Sequence, residues 1–157
     1  MSSAIQRFED AATAAGLSLE IRRFPQGTKT AADAARAIGC QIGQIVKSLV
    51  FMARGRPFLA LTSGSNRADQ ARLATLLGCD EVRRARPDEA RVATGYAIGG
   101  TPPFGHSRRL MALVDRDLLS HEVLWAAAGT PDSVFPITPD ELLRTTGGQV
   151  ADFKDQG

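Results

Sequence analysis

The segment 45–62 reads Ile-Val-Lys-Ser-Leu-Val-Phe-Met-Ala-Arg-Gly-Arg-Pro-Phe-Leu-Ala-Leu-Thr. Its two apolar runs, 45–52 and 58–62, are rich in aliphatic, β-branched and aromatic residues and predict buried strands. The Arg-Gly-Arg-Pro sequence between them predicts a tight hairpin turn. We therefore expect a pair of adjacent strands at the centre of the fold.

The sequence on either side of this hairpin alternates between helical and extended patterns. Several predicted helices have a capping residue before them or a glycine after them. This alternation predicts a single α+β domain, residues 1–157, with a mixed, partly closed β-sheet flanked by helices. The predicted helices are 3–15, 31–38, 69–77, 87–94 and one starting at 139, and the further strands are 17–24, 81–84, 110–115, 122–127, 134–137 and 149–153.

The composition is that of an ordinary globular protein. Of 157 residues 43% are hydrophobic and 23% charged, and the formal net charge of +2 does not by itself predict nucleic-acid binding. No apolar run reaches the ~18 residues that cross a bilayer, and no signal segment is visible, so we expect a cytoplasmic protein. Two distant cysteines, two histidines and no nucleotide-binding glycine motif predict neither a metal site nor a cofactor.

A glycine- and proline-rich segment, residues 95–106, reads Gly-Tyr-Ala-Ile-Gly-Gly-Thr-Pro-Pro-Phe-Gly-His. The glycines allow a sharp bend, whereas the two prolines lack N–H groups and fix the backbone. The sequence predicts a bent loop with free N–H groups at Gly99, Gly100 and Thr101. Such a loop suits a small polar ligand or a developing negative charge, and a purely structural turn is the alternative.

Lys47 stands among apolar residues in the first predicted strand. A buried lysine is rare because removing its charge from water is costly. One interpretation is an ammonium group at the floor of a pocket, ready for a phosphate or carbonyl oxygen. The other is a lysine on the solvent-facing side of the strand. Ser48 follows it and points to the opposite face of a regular strand.

Other polar residues leave similar alternatives open. His106 ends the loop and either acts directly or is structural, and Asn66 either faces a ligand or serves a turn. No serine or cysteine lies in a nucleophile-elbow context, so a catalytic triad is not predicted. The arginine groups at 22–23, 83–86 and 108–109 could hold phosphates or simply be surface residues.

Two segments together resemble a known family. These are Lys-Ser-Leu-Val at 47–50 and the Gly-x-x-x-Pro loop at 99–103, followed by Phe-Gly. In order and spacing, from the alanine-rich helix to Thr-Pro-Asp-Glu-Leu-Leu at 138–143, the chain is similar to the YbaK/ProX aminoacyl-tRNA deacylases, relatives of the editing domain of bacterial prolyl-tRNA synthetases. The resemblance implies hydrolysis of the ester between a wrong amino acid and the 3′ end of a tRNA, most often tRNA(Pro). It implies neither a metal nor a protein nucleophile.

The resemblance also implies roles for individual residues. Lys47 is expected to hold the terminal adenosine end of the substrate. The backbone of Gly99, Gly100 and Thr101 is expected to hold the aminoacyl carbonyl and to position the attacking group. We count these four residues as the predicted catalytic set. The predicted substrate-binding residues are Ser48, Asn66, Pro102, Pro103 and His106.

Several points qualify the resemblance. Relatives that remove alanine carry a histidine in the strand after the loop, whereas this chain aligns Ala126 near that position.

The acceptor end of an aminoacyl-tRNA is the expected partner, and prolyl-tRNA synthetase is a candidate partner. The alternatives are a non-catalytic tRNA- or synthetase-binding module of the same fold and an unrelated hydrolase that uses His106.

Overall fold

The computed structural model describes residues 3–25, 28 and 30–156, which form five α-helices and eight strands. Two short 3₁₀ turns, Ile42–Gln44 and Arg116–Ser120, connect some of them. The helices are α1 (Ala4–Ala14), α2 (Ala31–Ile38), α3 (Gln70–Leu77), α4 (Pro87–Thr94) and α5 (Pro139–Thr146). The strands are β1 (Arg22–Arg23), β2 (Ile45–Ala53), β3 (Arg56–Ser63), β4 (Val82–Arg84), β5 (Ala112–Asp115), β6 (Leu124–Ala127), β7 (Ser133–Ile137) and β8 (Gln149–Ala151).

The β2–β3 hairpin lies at the centre of the sheet. Its antiparallel register runs from Val46 opposite Ser63 to Ala53 opposite Arg56. Arg54 and Gly55 have positive φ angles of 53° and 75°, which match the turns that close two-residue hairpins. The strand order is β1-β7-β6-β2-β3-β5-β8, and β2–β6, β3–β5 and β5–β8 are parallel. The α+β fold with a mixed sheet is therefore confirmed.

The edge of β2 that faces away from β3 is divided between two partners. Ile45 and Val46 pair with β6, whereas residues 51–53 pair with β4. In the observed register the N–H and C=O groups of residues 46, 48 and 50 point to this edge, because antiparallel pairs alternate in direction. The Val50 carbonyl accepts a hydrogen bond from Ala85 N at 3.0 Å. The backbone of Ser48 therefore faces a gap between β6 and β4.

Most helix boundaries agree with the capping residues in the sequence. The Thr30 hydroxyl accepts a hydrogen bond from Asp33 N at the start of α2, and the Asp69 carboxylate caps α3. The predicted strand 17–24 is wrong over most of its length, since only Arg22–Arg23 pairs, with β7. The alternating Leu17, Leu19 and Ile21 instead pack against the core without a neighbouring strand.

Apolar side chains cover both faces of the sheet. On one face the rings of Phe8, Phe104 and Phe135 form a fully or nearly fully buried cluster, with centroids 5.0 Å apart for Phe8 and Phe104. Phe104 belongs to the loop 95–106, so this cluster anchors the loop in the core. The other face includes Phe51 and Phe153. In the described part of the chain, no helix has the length and apolar character needed to cross a membrane.

Candidate functional site

A cavity of about 490 Å³ opens at the gap along β2. The structure brings Lys47 and Ser48 of β2 together here with Gly99 and Thr101 of the loop, although the two segments are about 50 residues apart. The remaining walls come from α2, β4, β6 and the turn before β7. They include Ala31, Ala34, Arg84, Ala85, Trp125, Ala126, Ala127 and Pro131, and Ile98 of the loop adds to them.

The Lys47 ammonium is partly buried and donates one hydrogen bond within the described part of the chain. Its Nζ donates a hydrogen bond to the Asn66 carbonyl at 2.5 Å. Since an ammonium group has three donors, two remain for a ligand. Burial lowers the pKa of Lys47 below its usual value, the nearby Arg84 and Arg67 lower this pKa further, and Asp115 opposes them.

All the charged side chains in the described lining of the cavity are cations. Lys47 and Arg84 are cations, and none of the described lining residues is an aspartate or glutamate. The Arg84 guanidinium lies 5.5 Å from the centroid of the Phe51 ring, which helps to hold it in place. Two cations without an acidic counterpart favour a phosphate or a polarised carbonyl oxygen.

The loop differs from its predicted form at Gly100. The Gly100 N–H donates to the Ala97 carbonyl at 3.0 Å, so the predicted free N–H at this residue is wrong. A local turn has used that donor. The N–H groups of Gly99 and Thr101 have no hydrogen-bond partner among the described residues. Gly99 adopts a φ of 88°, a left-handed conformation that glycine accepts without strain.

Gly100 is required for a steric reason instead. A Cβ atom at this residue would lie 2.8 Å from the Thr130 Cα and 3.0 Å from the Gly129 carbonyl oxygen. The loop is thus in direct backbone contact with the turn between β6 and β7. This close approach brings both segments to the same wall of the cavity.

Ser48 has an unsatisfied hydroxyl. Its Oγ is the only buried side-chain nitrogen or oxygen without a hydrogen-bond partner in the described ranges. Leaving a buried polar group unpaired costs about 1–3 kcal/mol, so such groups are rare without a functional reason. A bound polar ligand could supply the missing partner.

Asn66, Pro102, Pro103 and His106 lie elsewhere. The Asn66 side chain donates to Asp115 and Asp117, and the residue is absent from the cavity lining, as is Pro102. Pro103 and His106 line a separate cavity of about 380 Å³ behind the loop. The His106 Nε2 donates to the Pro102 carbonyl at 2.7 Å. Asn66 therefore supports Lys47 from outside the cavity, and Pro102, Pro103 and His106 support the loop.

The buried His106 ring gives a prediction for stability against pH. Burial lowers the pKa of His106 below its usual value of about 6.5. The unfolded chain therefore binds this proton more readily, and the free energy of unfolding falls as the pH drops below about 6.5. In His106→Gln we expect a smaller fall between pH 7 and pH 5 than in the wild type, measured by urea denaturation. Equal falls would contradict this assignment.

Arg84 is a site residue that the sequence did not single out from its neighbours. The sequence shows it only as one member of the arginine group 83–86. It reaches the cavity because β4 pairs with the end of β2, which places Arg84 opposite Phe51. No local sequence pattern predicts that pairing.

Comparison with known proteins agrees with this geometry. The sequence model of the aminoacyl-tRNA editing domain matches residues 25–145, which include β2 and the whole loop. The chain belongs to the aminoacyl-tRNA editing domain family. It is therefore an aminoacyl-tRNA deacylase, and the resemblance inferred from Lys47 and the loop is confirmed.

Three proteins illustrate the similarity of this chain to known sequences and structures. A candidate Cys-tRNA(Pro)/Cys-tRNA(Cys) deacylase of Enterococcus faecalis is 25% identical over 125 residues, covering 79% of this chain and 76% of the relative. The proline–tRNA ligase of Citrifermentans bemidjiense is 34% identical over 92 residues, which are 59% of this chain and only 16% of the ligase. The crystal structure of a candidate trans-editing enzyme for prolyl-tRNA synthetase superposes with a TM-score of 0.93, at 46% identity over 99% of each chain.

Proposed function

We propose that this editing domain hydrolyses the ester that joins a small, wrong amino acid to the 3′ end of tRNA(Pro), in the cytoplasm. The observation that supports this most directly is the convergence of Lys47 with the unpaired N–H groups of Gly99 and Thr101 at one cavity. The three relatives described above add support, since each is named for proline tRNA or for its synthetase.

The proposed reaction needs little from the protein beyond positioning. An aminoacyl ester is already activated, and attack by water on its carbonyl carbon breaks the bond to the ribose oxygen. In the proposed reaction the N–H groups of Gly99 and Thr101 stabilise the oxyanion that forms. Lys47 and Arg84 hold the phosphate of the terminal adenosine, so that attack occurs on an oriented substrate.

The walls of the cavity favour a small side chain. Alanines at 31, 34, 85, 126 and 127 contribute much of the apolar lining. Ala126 is 1% exposed and lies in the register opposite Val46, near the position at which the alanine-removing relatives are expected to carry a histidine. A second pocket of this kind is useful because one methylene is worth only about 1–3 kcal/mol of discrimination at a synthetic site.

Prolyl-tRNA synthetase is the proposed partner. The matched segment is 16% of the ligase, and the editing domain model covers residues 25–145 here. In this proposal the editing domain acts on tRNA after its release from the synthetase or while the two proteins are in contact.

A deacylation panel tests this proposal. Purified protein is mixed with tRNA(Pro) and with a second tRNA, each charged in turn with alanine, serine, threonine, cysteine or proline. We expect release of at least one small amino acid from tRNA(Pro) and no release of proline. Equal rates on both tRNAs would reject the tRNA assignment, and binding without release would favour a non-catalytic module.

A further inference from the structure

The position of the Lys47 ammonium depends on Asn66, a residue that does not line the cavity. Its hydrogen-bond acceptor is the Asn66 carbonyl, in the loop that follows β3. The Asn66 Nδ2 donates to one oxygen of Asp115 and one of Asp117, both at 2.9 Å. Asp115 is 1% exposed and also accepts a hydrogen bond from the Ser63 N–H. The residue whose carbonyl holds Lys47 is thus anchored through its side chain by two carboxylates.

The segment after β8 fixes the same loop from another direction. The Lys154 Nζ donates to Asp117 at 2.9 Å, and the carbonyl of the fully buried Phe153 accepts from the Asp69 N–H at 2.8 Å. Ala68 and Lys154 form an isolated antiparallel bridge. A part of the chain more than 80 residues further along the sequence (Phe153 and Lys154 against Ala68 and Asp69) therefore holds the loop that contacts Lys47.

We propose that Asn66 is a positioning residue for Lys47, held by Asp115, Asp117 and Lys154. A lysine side chain has a flexible four-carbon stem, and a fixed acceptor restricts where its ammonium group lies. Catalysis by positioning is sensitive to displacements of about 1 Å. This inference rests on the proposed function, in which Lys47 holds the substrate.

The hydrogen bonds of Asn66 argue against direct substrate contact. A side-chain amide has two N–H donors, and both are used by Asp115 and Asp117. The sequence-based prediction placed Asn66 among the substrate-binding residues. We assign it an indirect role, in which only its backbone carbonyl reaches Lys47.

A double-mutant cycle tests this role. Asn66→Ala keeps the backbone carbonyl but removes its anchor, and we expect kcat/KM for ester hydrolysis to fall about 10- to 100-fold. In combination with Lys47→Ala, the second substitution should add less than about a twofold loss, because both act on one group. Losses that multiply would overturn the proposal.

A second pair of variants keeps the test decisive where Asn66→Ala folds poorly. Asp117→Asn retains an acceptor oxygen for Asn66, whereas Asp117→Ala does not. We expect the first to stay within about threefold of the wild type and the second to lose about tenfold in kcat/KM. Equal activity of the two would also overturn the proposal.

One control variant and the activity of the wild type distinguish failure of the Asn66 role from failure of the proposed function. Arg116 forms an ion pair with Asp152 at 3.3 Å on the same surface but does not contact Asn66, so Arg116→Ala should retain wild-type activity. A wild-type protein without deacylase activity on any charged tRNA would overturn the proposed function. An active wild type with multiplicative losses would overturn only the role of Asn66.

Discussion

Lys47→Ala is expected to lower kcat/KM for deacylation by about 100-fold, because Lys47 holds the terminal phosphate in the proposed reaction and its loss lets the ester move away from the position for attack. Lys47 is the cation of the cavity whose ammonium is partly buried and held by Asn66, and burial strengthens its interaction with an anionic substrate. Rates would be measured with charged tRNA under single-turnover conditions, so that slow hydrolysis stays detectable.

The matched control for Lys47 is Arg56→Ala. Arg56 is exposed at the start of β3 and does not line the cavity, so this variant removes one positive charge from the protein without touching the cavity or the contacts of Asn66. We expect a loss well below that of Lys47→Ala and little change in thermal stability. Comparable losses in the two variants would show that net charge, rather than the position of Lys47, governs activity.

Gly100→Ala is expected to reduce kcat/KM by about 100-fold or more, because the new Cβ would lie 2.8 Å from the Thr130 backbone. The loop must then move away from the β6–β7 turn, which displaces the Gly99 and Thr101 N–H groups. Overpacking of this kind also costs about 1–3 kcal/mol of stability. Both quantities would be measured, by deacylation rate and by urea denaturation.

The matched control for Gly100 is Gly39→Ala. Gly39 ends α2 with a φ of 85°, and no atom lies within 4 Å of the position that its Cβ would take. A non-glycine residue in this conformation costs about 1–2 kcal/mol, so stability should fall while kcat/KM stays unchanged. If Gly100→Ala lost stability alone, in the same way, the loop would not have the catalytic role proposed for it.

Local sequence signals predicted the elements that depend on short-range interactions. The hairpin was predicted from its apolar runs and its Arg-Gly turn, and the observed pairing extends it by a few residues. The start of α2 was predicted from Thr30, whose hydroxyl makes the expected capping bond. Residues 17–21 show the limit of such signals, since their alternation reflects packing on the core without a strand partner.

Sites made by distant segments were only partly predictable. The combination of Lys47 with the loop came from a family resemblance, and the structure then brought both to one cavity. Arg84 was missed because its place depends on the pairing of β4 with β2. Asn66 and His106 were expected to contact the substrate, but polar neighbours remote in the sequence or across the loop hold both side chains outside the cavity.

Residue types and their spacing along the chain predicted the α+β class, the central hairpin and the helix caps, because these features depend on short-range interactions, whereas the editing family was indicated by resemblance to known sequences. Which donors and charges remain available is a property of the tertiary fold. The Gly100 N–H was used by a turn to Ala97, whereas the Ser48 hydroxyl was left without a partner at the gap in the sheet. Hydrogen-bond satisfaction depends on which groups meet in space, and that follows from the folded arrangement of the strands.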